Sequence, residues 1–172
     1  CTSISSQKYK IIWVKTTAPK GAPTTTTGKQ KWKNKLGVIL FSKKYYPQKI
    51  CQNFSDSEHD VLVSSGEQVA CSLIAGRLIH KGFKSRSWLA WQIPILTDGP
   101  HKHARINNLY KNKLIKYLKE GGIPIIAGFQ GINSSGRVTT IGRGGSDASA
   151  IVLAKFFKAD RCIIYTDVEG VY

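Results

Sequence analysis

From Asp60 onward the chain alternates between two hydrophobic periods. Val69, Ala70, Leu73, Ile74 and Gly76 fall at helical spacing behind Ser65-Gly66-Glu67, which reads as the helix start, with a stop at Gly82 after Lys81. Val61–Ser64, just ahead, reads as a short strand or a helix entry. A strand is predicted around Lys84–Leu89, followed by a polar, aromatic loop through "AWQIPILTDGPHKHARI". Tyr110, Leu114, Tyr117 and Leu118 mark a second helical face ended by Gly121-Gly122. Ile123–Phe129, "IPIIAGF", is an apolar run of the kind buried on both faces of a sheet. A hairpin through Asn133–Gly136 follows, then a helix on Ala150, Leu153, Ala154 and Phe157, then a buried strand over Cys162–Tyr165. Strands alternating with helices predict an α/β fold with a mainly parallel sheet and right-handed crossovers.

The first third follows no such pattern. Residues 1–34 are rich in Thr, Lys, Pro and Gly, a composition that buries too little apolar surface to offset its ordering entropy. Only Leu36–Ser42, "LGVILFS", reads as a strand there. We therefore divide the chain into a lysine-rich leader, 1–56, expected to be disordered or non-native, and an α/β body, 57–172.

Charge sharpens that division. The net charge is +16, but residues 1–56 carry 11 lysines, no arginine and one acid, Asp56. Residues 57–172 carry 15 basic and 9 acidic residues, with all six arginines. A basic arm on nucleic acid is the alternative function class, predicting steep salt dependence. The leader's lack of arginine and of regular aromatic interleaving argues against it. Four cysteines without a CxxC pair predict no zinc site and a reducing, cytoplasmic setting. No apolar run approaches a membrane span, and His59, His80, His101 and His103 have no metal spacing and are assigned to solvent.

In an open α/β sheet, ligands bind beyond the carboxyl ends of strands, beside helix N-termini. The stretch "VTTIGRGGSDASA" (Val138–Ala150) offers such a place. Its glycines let backbone N–H groups approach an anion, Ser146 or Asp147 would cap the next helix, and Arg143 presents a planar fork. The bland reading, a capped helix with a surface arginine, is equally open on this pattern alone. Neither common nucleotide fingerprint matches, because GxxxxGK[ST] is absent and Asp147 occupies the last glycine position of G-x-G-x-x-G. Glu67 is either a first-turn charge or a partner for a substrate amine. Thr166-Asp167, after the last strand, either contacts a nucleotide or starts a turn.

Taken in order, "SSGEQVACSLIA", "QIPILTDGPHKHARI", "IPIIAGFQGI", "VTTIGRGGSDASAIVLA" and "RCIIYTDVEGVY" make residues 60–172 resemble the aspartate kinases of the amino acid kinase family. The resemblance implies a three-layer α/β/α sandwich, incomplete here, and transfer of the ATP γ-phosphoryl group to the β-carboxylate of L-aspartate, with Mg²⁺ accompanying the nucleotide. That reaction opens lysine, threonine, methionine and diaminopimelate biosynthesis. By the same resemblance Glu67 would bind the aspartate amino group and Arg143 its α-carboxylate. Ser146 and Asp147 would complete the pocket, with Arg143 and Asp147 as the catalytic pair. Thr166, Asp167 and Tyr172 would contact the nucleotide. No protein metal ligand is assigned. The family's opening Lys-Phe-Gly-Gly-Thr-Ser segment has no counterpart in 1–56, which points to a frameshifted leader. Its Asp-Pro-Arg segment and ACT regulatory domains are not found. The expectation is a truncated catalytic domain, impaired or inactive alone, with oligomeric state open.

Overall fold

The computed structural model describes the backbone strand Lys10–Val14, residues 51–142 and residues 144–165. The predicted strand Leu36–Ser42 lies outside these residues. Within them the α/β class holds, with eight strands and three helices.

Helix α1, Asp56–His80, is 25 residues long and begins well before the predicted start. Val61–Ser64 is therefore helical, and Ser65-Gly66-Glu67 lies inside the helix rather than at its N-terminus. The real start is favoured by Asp56 and Glu58 in the first turn, which suit the positive end of the helix dipole. A glycine in a helix interior costs about 1 kcal/mol relative to alanine. The buried stripe of Asp60, Val63, Ser64, Cys71 and Ala75 runs through that position and overrides the break. The predicted stop holds, with Lys81 as C-cap and Gly82 at φ 83°.

Strand β2, Ser85–Trp88, pairs in parallel with β5, Ile123–Ile126. The segment expected to be a loop instead forms β3, Ile95–Asp98, and β4, Arg105–Leu109, an antiparallel pair whose register shifts between Leu96 and Thr97. Short strands with polar outer positions carry little apolar periodicity, so composition hides them. Helix α2 is Asn112–Lys119. The predicted hairpin is real: β6, Gln130–Ile132, and β7, Val138–Thr140, pair antiparallel around a turn in which Asn133 Oδ1 accepts the N–H groups of Ser135 and Arg137. The order β4-β3-β6-β7 makes a mixed four-stranded sheet.

Helix α3, Gly145–Phe157, starts at Gly144, a left-handed N-cap with φ 77° and no side-chain capping bond. Ser146 and Asp147 are thus inside the first turn and do not cap it. Strand β8, Arg161–Tyr165, pairs in parallel with β1, Lys10–Val14, in the register Ile12 to Ile163. The leader therefore supplies a strand that its composition does not announce. The last strand is not the buried one expected: Arg161, Cys162, Ile164 and Tyr165 are exposed. One core, formed by Trp88, Ala90, Ile93, Ile95, Leu109, Leu114, Ala150, Leu153 and Phe157, joins α2 and α3 to the strands. Among the described residues no helix is long and apolar enough to cross a membrane.

Candidate functional site

The glycine loop after β7 opens α3, and α1 runs alongside it. Ser146 Oγ donates to Glu67 Oε1 at 3.3 Å, joining residues 79 apart in sequence. Two of the predicted site residues are thereby in contact. Asp147 sits one residue further along the same first turn, at the helix N-terminus, whose dipole favours an anion. Arg143, Thr166, Asp167 and Tyr172 lie outside the described residues.

Glu67 does not owe its place to a helix start. It faces the loop because α1 is bolted in rotation by a polar stripe at i, i+4 and i+8. Asp60 is wholly buried and accepts from Thr140 N–H and Thr140 Oγ on β7 at 3.0 and 2.6 Å. Gln130 on β6, also wholly buried, donates to the Ser64 carbonyl at 3.4 Å and accepts from Gln68 Nε2 at 3.3 Å. Four residues on from Glu67, the Cys71 thiol approaches the Ile125 carbonyl at 3.5 Å. Burial, reinforced by the neighbouring Glu67 charge, pushes its pKa up from the ordinary 9.0.

Phe129 lies in the glycine turn Gly128–Gly131 behind β5, a turn placed like the other strand-end segments but with no role assigned to Phe129 itself. Its backbone is left-handed, φ 64°, which is uncommon outside glycine. It is held there by both main-chain groups: its N–H donates to Ser149 Oγ at 3.0 Å, and its carbonyl accepts from Ile141 N–H at 3.0 Å. A Cβ added to Gly145 would stand 2.8 Å from the Phe129 ring, so ring and helix start are packed without spare room.

Two of the four histidines are not simply solvated. His101 Nδ1 lies 2.7 Å from Asp60 Oδ2, and His59 Nδ1 is buried 3.9 Å from Asp60 Oδ1. His103 is exposed against Gly142, whose added Cβ would be 3.2 Å from its Nδ1. Of the lysine-rich leader 1–56 that the nucleic-acid alternative invokes, only Lys10–Val14 and residues 51–56 are among the described residues.

The Glu67 carboxyl and Ser146 hydroxyl meet at the N-terminus of α3, whose first turn also carries Asp147, a set suited to a small ligand carrying both charges. The family model for the amino acid kinase family matches residues 16–172, so the match begins inside the lysine-rich leader. The chain is 55% identical over 116 residues to an aspartokinase of Rickettsia conorii, covering 67% of this chain and 29% of that protein. It is 46% identical over 125 residues to an aspartokinase of Geobacillus stearothermophilus, covering 73% and 31%. Among solved structures, Escherichia coli aspartokinase III in complex with aspartate and ADP matches with a TM-score of 0.63 and 33% identity, over 69% of this chain and 27% of that one. The chain thus spans less than a third of the length of these relatives.

Proposed function

Because the chain belongs to the amino acid kinase family, we propose that it is the aspartate-binding part of an ATP-dependent aspartate kinase. The observation that carries this reading is the Glu67–Ser146 contact, which unites α1 with the glycine loop beside Asp147. In this reading Glu67 receives the substrate ammonium, Arg143 pairs with the α-carboxylate, and Ser146 and Asp147 close the pocket. By the same reading Thr166, Asp167 and Tyr172 would contact the nucleotide. The catalytic body is residues 57–172, preceded by the leader, and the protein works in the cytoplasm.

The chemistry asks little of protein acids and bases. A carboxylate with an ordinary pKa near 4 is already ionised at neutral pH. Its β-oxygen attacks the γ-phosphorus, the bond to the β–γ bridging oxygen breaks, and ADP leaves with that electron pair. No proton has to be removed. Catalysis then rests on in-line positioning and on neutralising the phosphoryl oxygens. Arg143 and the N–H groups at the start of α3 are placed in sequence to serve both. Mg²⁺ would accompany ATP and supply positive charge to the phosphoryl oxygens.

Trapping the acyl phosphate with hydroxylamine, in the presence of ATP and L-aspartate, tests the reading. Glu67→Gln should raise the KM for L-aspartate, and Arg143→Ala or Asp147→Ala should lower the rate by about 10²-fold or more. Full activity in both of the latter, or no L-aspartate binding by the unsubstituted chain in a calorimetric titration, would overturn it.

A further inference from the structure

We propose that Asp60 is a positioning residue that holds the Gly99–Ala104 loop and the stem of the glycine loop in one arrangement. Its side chain is completely buried, and a buried polar group is costly unless it is fully bonded. Asp60 meets that condition with groups from two separate segments. Thr140 contributes its N–H at 3.0 Å and its hydroxyl at 2.6 Å. From the loop come Lys102 N–H, shared between both oxygens at 3.0 and 3.2 Å, and His101 Nδ1 at 2.7 Å.

Each bond constrains something next to the site. Lys102 has φ 68°, a left-handed conformation that is unfavourable for a non-glycine residue, and its N–H is the one that Asp60 takes. The far end of the loop returns to the same residue of β7, through Ala104 N–H to the Thr140 carbonyl at 3.1 Å. Thr140 stands two residues before Gly142, where a Cβ would come within 3.2 Å of His103 Nδ1 and 3.4 Å of the Lys102 carbonyl. One carboxyl group on α1 therefore ties together a strained loop, the end of β7 and the entry to the glycine loop. Glu67 lies two helical turns along the same α1, so this tie also sets where its carboxyl group meets Ser146. The effect on ligand binding rests on the aspartate-kinase reading; the effect on the loops does not.

The test is hydrogen exchange by mass spectrometry on the full chain, comparing Asp60→Asn with Val63→Ala. Val63 is buried on the same helix and takes no part in the polar stripe. The asparagine keeps the shape but turns one acceptor into a donor facing donors. Exchange in 99–104 and 139–147 should rise about tenfold more in Asp60→Asn than in Val63→Ala, after correction for global stability. Should Asp60→Asn fail to fold, Thr140→Val removes one bond and should shift the same peptides by less. Equal, uniform acceleration in both helices and loops would overturn the proposal. In calorimetric titration Asp60→Asn should weaken L-aspartate binding about tenfold, with Val63→Ala unchanged. If the unsubstituted chain binds no L-aspartate, the kinase reading fails and the exchange result alone decides the role of Asp60.

Discussion

At Gly145, in the first turn of α3, a single missing atom matters. A Cβ there would lie 2.8 Å from the Phe129 ring and 2.9 Å from Ile141 Cβ, closer than such contacts are found. Gly145→Ala should therefore destabilise the protein by about 1–3 kcal/mol, as overpacking does, even though alanine favours a helix. Urea unfolding would measure it, and an unchanged or raised midpoint would show that Phe129 moves aside freely. The glycines of this loop were visible in the sequence as a pattern. The reason for one of them was not, because the ring it meets comes from 16 residues upstream by sequence. A pattern identifies a residue that is special; only its neighbour says why.

At the scale of elements, α1 shows how far charge and tertiary bonds reset a helix. Its first-turn acids are paired outward, Asp56 with Lys102 of the loop and Glu58 with Arg137 of the hairpin. The Lys102 hydrogen bond holds the Asp56 pKa below the ordinary 3.8, and on α2's side the Lys84 hydrogen bond holds Glu120 below 4.5. A lowered folded pKa means that the contribution is present above the unfolded value and is lost as pH falls through the folded one. Thermal stability should therefore decline below about pH 4. Both carboxyl groups are exposed, so the decline should be small and should shrink in high salt. Melting curves at pH 3 to 6 in low and high salt check this, and Asp56→Asn should remove its share. The predicted helix start at Ser65 failed for a related reason. Gly66 is a local signal, whereas Asp60, Ser64 and Gln68 are held by strands 62 to 80 residues away. The β3–β4 pair was missed because its outer positions are polar and its turn contains a left-handed lysine in place of a second glycine.

Across the whole molecule, the pairing of β1 with β8 ties the lysine-rich leader to the last described strand. Ile12→Pro should break that ladder by removing an N–H and fixing φ. Amide exchange in 161–165 should then accelerate, while the Asp60 peptides 99–104 and 139–142 stay protected. Unchanged exchange in 161–165 would mean that β8 does not depend on the leader. The parallel pairing also illustrates a limit of composition. Five residues that cannot bury a core by themselves are ordered by a strand 151 positions later.

What the sequence determined by itself is the alternation of elements, the hairpin, the helix stops at glycine, and the family to which the ordered motifs belong. Each of these depends on local periodicity or on residues read in order. Tertiary structure alone decided where α1 begins, that Ser146 bonds Glu67 instead of capping its own helix, and that Asp60 gathers donors from a loop and a strand. Those outcomes depend on which distant groups satisfy a buried polar atom. Hydrogen bonds of that kind are short in space and unbounded in sequence, so no local pattern encodes them.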